Sequence, residues 1–201
     1  MSSDLQLVLL HGRSHDPASM HALAGRLGLD GIAVEAPAAP GGEWYPEPFT
    51  APRASNEPRL SAALAQVDAV LDRLAAGGVA PERTVLGGFS QGACLACDVF
   101  ARRPRRLAAL VALCGGLIGA GDEELARPPA GSLDGLRVLL TGTEQDAWVP
   151  VERVRRTGEI LAAAGATVDL RVHPPAEHRV HDEEVDAFRA LLQPNSGARS
   201  I

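Results

Sequence analysis

Gly88-Phe89-Ser90-Gln91-Gly92 stands between a continuous apolar run at 84–89 and a helical pattern at 91–103. A serine with glycine two residues to either side matches the GxSxG pattern of a strained strand-to-helix turn. Small neighbours let adjacent chain pass closely, while the hydroxyl is pushed out beyond the sheet edge. The helix that follows aims its positive N-terminal end at the place where negative charge develops on an attacked carbonyl. Glycine and serine also make ordinary turns; the strand before and the helix after set this pentapeptide apart. The chemistry implied is attack by Ser90 on an acyl carbon.

A serine hydroxyl is a poor nucleophile at neutral pH and needs a base with an acid behind it. For a strand-turn-helix nucleophile the expected chain order is Ser, then Asp or Glu, then His, each beyond the carboxyl end of a strand. Asp146 lies in the loop 142–150 after an apolar run at 136–141, whereas Asp134 precedes that run and sits at the wrong end. Glu144 shares the loop and stays an alternative acid; the bland role for either carboxylate is to cap the helix starting near Val151. His173, His178 and His181 all follow the last apolar run. His173 continues the exposed face of Asp169 and Arg171, and His181 stands just before a helix opened by Asp182 as N-cap. His178, in the middle of the loop, is the preferred base. Two backbone donors for an oxyanion are expected from the N–H of Gln91 and, after His11-Gly12, of Arg13. The Arg13 side chain either meets an anionic substrate group or is structural. Trp44, Tyr45 and Phe49 fall together in the stretch 37–57, and Trp148 follows Asp146 by two residues. Trp44, Tyr45 and Trp148 are read as walls of an apolar substrate pocket; the alternative is that such aromatics pin a Pro-rich loop to the sheet.

These side chains need a scaffold. Apolar, β-rich runs at 5–10, 32–36, 84–89, 107–113, 136–141 and 167–172 alternate with helical patterns at 58–76, 91–103, 151–164 and 182–192. Such alternation predicts βαβ crossovers, hence an α/β fold with a mostly parallel sheet and helices on both faces. The middle runs are continuously apolar, as strands covered on both faces are. The last alternates Val168, Leu170 and Val172 with Asp169 and Arg171 and belongs near an edge. In such sheets chemistry gathers beyond the carboxyl ends of the strands, where the long connections 37–57 and 114–135 are expected. The expected organisation is a single domain over 1–192 with a disordered tail at 193–201.

Composition narrows the function classes. A chain of 201 residues, 46% hydrophobic and 22% charged, buries a core without disulfides or a structural metal. The net charge of -6 leaves no basic face for nucleic acid, and every one of the 19 basic residues is arginine. The group Arg102, Arg103, Arg105 and Arg106 reads as a solvated helix end. Asp4 stands where a signal peptide needs positive charge, and the glycine-broken run 107–121 falls short of the ~20 residues that span a bilayer. A cytoplasmic protein without a membrane span is expected. Cys94 and Cys97 imitate a CxxC pair, but no second pair completes a metal shell, so the 3 cysteines read as small buried packing residues.

With these residues in place, the chain resembles the phospholipase/carboxylesterase family of α/β-hydrolases over roughly 7–192. The likeness rests on Leu10-His11-Gly12-Arg13, Gly87-Gly88-Phe89-Ser90-Gln91-Gly92-Ala93, Cys114-Gly115-Gly116-Leu117, Asp146 before Val149-Pro150, and His178 before Glu183-Glu184. The resemblance implies a Ser90–Asp146–His178 triad, no cofactor, no metal, no large lid domain, and a small-molecule ester or thioester as substrate. A homodimer is compatible with it. Glu177 departs from the family, which carries glycine before the catalytic histidine. That puts a carboxylate near the base, where it either raises the pKa of His178 or competes with Asp146 for the ring N–H.

Overall fold

In the computed structural model, which describes residues 5–29 and 31–193, six strands pair into one wholly parallel sheet. They are β1 (Gln6–Leu10), β2 (Ala33–Glu35), β3 (Thr84–Phe89), β4 (Ala109–Leu113), β5 (Arg137–Thr143) and β6 (Thr167–His173). Their spatial order is β2-β1-β3-β4-β5-β6. Chain order reverses between β1 and β3, and the crevice beyond their carboxyl ends is where ligands enter open α/β sheets. The loop after β1, with Gly12 and Arg13, and Ser90 after β3 therefore meet at the switch point. The expected tail at 193–201 lies, apart from Gln193, outside the described residues.

Period-two alternation sorts the apolar residues into two layers. Val8, Leu10, Leu86, Leu110, Ala112, Val138 and Leu140 pack against α2 (Arg59–Ala76), α3 (Gln91–Arg102) and α4 (Val151–Ala163) on one face. Leu7, Leu9, Val85, Ala109, Val111 and Leu139 pack on the other face, against α1 (Pro17–Arg26) and α5 (Asp182–Leu192). Strands β1, β3 and β4 are buried at every residue, as continuous apolar runs require, while β6 is partly exposed throughout and ends the sheet.

One local expectation is corrected and two features are added. Helix α1 was not legible as a pattern: it buries only Met20 and Leu23, a stripe too short to stand out, although Asp16 caps Ser19 and Pro17 opens the first turn. The N-cap of α5 is His181, whose backbone N–H donates to Glu184 Oε2; Asp182 is the first helical residue and pairs outward with Arg26. The arginines ending α3 are mostly exposed, as expected, and three of them are also paired. Arg102 pairs with Asp98, Arg103 with Asp68, and Arg105 with Asp68 and Asp72, which ties the end of α3 to α2.

Candidate active site

Ser90 occupies φ 53°, ψ −117°, a region L-residues avoid unless the surroundings impose it. The surroundings here are the two glycines. A Cβ on Gly92 would lie 2.1 Å from the Leu10 carbonyl oxygen, and one on Gly88 would lie 2.6 Å from the Gly92 carbonyl carbon. Backbone fills both places, so the chain turns tightly against the end of β1. The Ser90 N–H donates to the Leu113 carbonyl at 2.9 Å, which fixes the turn to β4 as well.

The turn, the loop after β5 and the loop after β6 bring their side chains together. Ser90 Oγ lies 2.8 Å from His178 Nε2, and His178 Nδ1 lies 2.7 Å from Asp146 Oδ2. Asp146 is fully buried as a side chain, and its second oxygen accepts the N–H groups of Trp148 at 2.8 Å and Val149 at 3.0 Å. The carboxylate is thus held by its own loop on one side and faces the imidazole with the other. Glu144 and Asp134 take no part in this chain. Nor does His181, whose ring Nε2 bonds the Glu177 carbonyl at 2.9 Å, or His173, which ends β6.

Glu177 does not compete for the ring. Its carboxylate is exposed and pairs with Arg179 at 3.3 Å, while the ring Nδ1 bonds Asp146. The loop is held instead from behind by Glu184, a fully buried carboxylate. Glu184 Oε2 accepts the His181 N–H, and Oε1 accepts the hydroxyl of Thr141 near the end of β5. Thr141 Oγ1 in turn accepts the N–H of Cys114, a residue at φ 52° after β4. Sequence reasoning missed Glu184 and Thr141. The recognisable signal is the glutamate at the third helical position after a histidine N-cap, half of a capping box.

The switch-point loop is equally tied. His11 Nε2 accepts the Ala39 N–H at 3.0 Å and Nδ1 bonds the Gly12 carbonyl at 2.8 Å, so the neutral ring carries its proton on Nδ1. The Arg13 guanidinium pairs with Glu43 and donates to the carbonyls of Tyr45 and Glu47. These contacts give its cation a structural role in the loop, while part of the side chain stays exposed at the cavity. Helix α3 starts at Gln91, whose backbone N–H belongs to the first turn and has no intrahelical acceptor. The Gln91 side chain accepts from the Trp44 N–H and donates to the Tyr45 carbonyl, pinning the 37–57 stretch over the turn.

A cavity of about 530 Å³ opens at Ser90 and His178. Its apolar wall is built by Tyr45, Phe49, Phe89, Cys94, Trp148 and Val149, with Arg13 and Gln91 also at its surface, and among the described residues no acidic side chain lines it. Trp44 is a correction: it is 1% exposed, donates its indole N–H to the His11 carbonyl and stacks at a tilt on His11, so it pins the loop and does not reach the cavity. Trp148 is the opposite case, 73% exposed on the rim. His15, which no sequence pattern singles out, stacks on Phe89, and Phe89 packs on His178.

The thiols stay protonated. Burial pushes Cys94 up to about 12 and Cys97 upward; burial, with the charges of Glu184 and Asp146, pushes Cys114 upward too. Cys114, Asp146 and His178 are the group of possible metal ligands among the described residues, with ligand atoms within 4.8 Å. A metal there would have to displace the proton shared by His178 and Asp146 and deprotonate a thiol that resists it. The arrangement suits a proton relay better. No described helix is long and apolar enough to cross a membrane.

Known proteins share this scaffold. The sequence profile of the phospholipase/carboxylesterase family matches residues 30–195. Acyl-protein thioesterase 1 of Gibberella zeae is 29% identical over 116 residues, 58% of this chain and 49% of that protein. A probable carboxylesterase SOBER1-like of Arabidopsis thaliana is 26% identical over 157 residues, 75% of this chain and 58% of that protein. The chain thus aligns with about half the length of these curated relatives. The crystal structure of a phospholipase/carboxylesterase from Dyadobacter fermentans superposes with a TM-score of 0.86 at 32% identity, covering 94% of this chain and 90% of that one. By its profile and its fold, the chain belongs to the phospholipase/carboxylesterase family of α/β-hydrolases.

Proposed function

We propose that this chain is a serine hydrolase that cleaves carboxylic esters through an acyl-enzyme on Ser90, within a single catalytic domain over residues 1–192. The observation that carries the reading is the unbroken hydrogen-bonded line from Ser90 Oγ through His178 to Asp146, with spacings of 2.8 and 2.7 Å. Ser90 Oγ attacks the carbonyl carbon while its proton passes to His178 Nε2, and Asp146 stabilises the imidazolium through Nδ1–H. The oxyanion accepts the N–H groups of Gln91 and Arg13, each such donor worth ~10²-fold or more in rate. Collapse expels the alcohol, which takes the proton back from His178. Water then repeats the sequence on the acyl-enzyme and releases the acid.

Small, uncharged or weakly polar substrates follow from the cavity. Its wall is apolar, and Arg13 is already paired with Glu43. Tyr45 and Trp148 are the proposed substrate contacts. The likeness to a protein named acyl-protein thioesterase 1 makes thioesters the second class to test. The test is labelling with a fluorophosphonate, followed by turnover of p-nitrophenyl esters and acyl thioesters of graded chain length, with Ser90→Ala as control. Label mapped to Ser90 and ester turnover that falls off with bulk are the expected results. Labelling that survives in Ser90→Ala overturns the nucleophile. Labelling without turnover of any ester or thioester would leave a ligand-binding protein on a hydrolase fold.

A further inference from the structure

The sheet has two edges and they differ. Strand β2 is three residues long, the short kind of edge that resists pairing with another chain. Strand β6 is seven residues long, contains no proline, and has no neighbouring strand on its far side among the described residues. Thr167 N–H donates inward to Leu136 and the His173 carbonyl accepts inward from Glu144, so odd-numbered residues turn their backbone groups to β5. Val168, Leu170 and Val172 therefore present theirs outward along the free edge.

The side chains of this edge are complementary to themselves. Val168-Asp169-Leu170-Arg171-Val172 reads the same in both directions about Leu170, except that the acid and the base exchange. We infer that the β6 edge is the interface of a symmetric dimer, two copies pairing antiparallel with the two-fold axis at Leu170, to make one continuous sheet. In that register Leu170 faces its own copy and Val168 faces Val172, each a pair whose outward N–H and C=O groups exchange both hydrogen bonds. The intervening Asp169 faces Arg171 of the other copy as a non-hydrogen-bonded pair, where side chains come closest. Within one chain Arg171 already grips Asp169 with contacts of 2.9 to 3.2 Å; in the dimer these pairs become two facing quartet halves of alternating charge.

Neighbouring registers lose this match. Moving the axis to Asp169 sets two carboxylates against each other, and moving it to Arg171 sets two guanidinium groups against each other. The apolar side favours the same register. Val168 and Leu170 lie on the α4 face over Gly158, and Leu170, 37% exposed, is with Trp148 one of the two large exposed hydrophobic side chains among the described residues. A symmetric, self-complementary patch closes with two copies and leaves only the short β2 edge at either end of the joined sheet. Because the loop bearing His178 leaves directly from β6, the paired edge also lies next to the segment that must be held in place.

Sedimentation velocity over a concentration series tests the inference on the whole chain. A monomer–dimer equilibrium is expected, with Arg171→Glu weakening it by about tenfold or more because each Asp169 then faces a carboxylate. The exchange Asp169→Arg with Arg171→Asp restores it in the same register. Leu170→Cys supplies a surface thiol beside three buried native ones and cross-links between copies with a short bis-maleimide. Thr167→Cys, whose two copies lie roughly 20 Å apart across the axis, does not. A protein that stays monomeric at the highest concentration reached, or a dimer indifferent to Arg171→Glu, overturns the proposal. Ester turnover by the monomeric variants separates that outcome from any failure of the proposed chemistry.

Discussion

His178→Ala is expected to lower kcat on p-nitrophenyl esters by at least ~10³-fold, while His181→Ala leaves it within a few-fold of the unaltered protein. The contrast follows from what each ring touches. His178 is the group within hydrogen-bond distance of both Ser90 Oγ and the buried Asp146 carboxylate. Without it the serine proton has no acceptor and the leaving alcohol no donor, so both halves of the reaction slow. What remains is the contribution of the oxyanion donors and of binding, which in serine hydrolases is itself ~10³–10⁴ over water. His181 serves the loop: its backbone caps α5 and its ring bonds the Glu177 carbonyl. Alanine keeps the cap N–H and loses the ring's contacts to the Glu177 carbonyl and to the first turn of α5, neither of which touches Ser90 or Asp146. Steady-state rates of both variants and of His173→Ala decide the assignment, and a larger loss in His181→Ala would move the base.

The second large effect concerns a residue without a side chain. Gly92→Ala is expected to cost ~4 kcal/mol or more of folding stability, enough to leave the protein insoluble or unfolded. The added methyl would meet the Leu10 carbonyl at 2.1 Å and the His11 carbonyl at 2.6 Å, and neither is a side chain able to rotate away. Relief requires the end of β1 to part from α3, which would carry Gly12 and Arg13 with it. Gly25→Ala is the matched control. It lies in α1 with nothing within 4 Å of the new methyl, and alanine there is expected to stabilise by about 0.5–1 kcal/mol through helix propensity. Urea denaturation midpoints of the two variants should move in opposite directions. Equal midpoints would mean that the turn yields more readily than its contacts indicate.

What the chain reveals of itself before folding divides along physical lines. Period and continuity identify elements that bury a whole face, so β3 begins and ends where the apolar run does, and α5 likewise. Strand β6 announces its edge position through the alternation of Val168, Leu170 and Val172 with Asp169 and Arg171. Ser90 is legible because its strained turn demands glycine at fixed offsets, and Asp146 and His178 because chain order in this fold leaves few candidates. Helix α1 escapes because two buried residues make no periodicity. The 37–57 stretch escapes for another reason: its fixing contacts are long-range and polar, from Gln91 to Trp44 and Tyr45, from Arg13 to Glu43, and from Arg53 to Asp98. Nothing in local sequence says which partner a loop side chain will find. The same holds for Glu184, which looks like one more surface carboxylate among Asp182 and Glu183 until the fold buries it.

The two tryptophans were grouped by type and separated by the fold, and that separation has an optical consequence. Trp44 lies sealed beside His11 in a rigid apolar setting, whereas Trp148 stands in water at the mouth of the cavity. With only 2 such fluorophores in the chain, emission excited at the indole edge divides into a blue component from the first and a red one from the second. Iodide reaches one and not the other. The protein thus carries two native reporters, one answering to occupancy of the cavity and the other to integrity of the loop that roofs it.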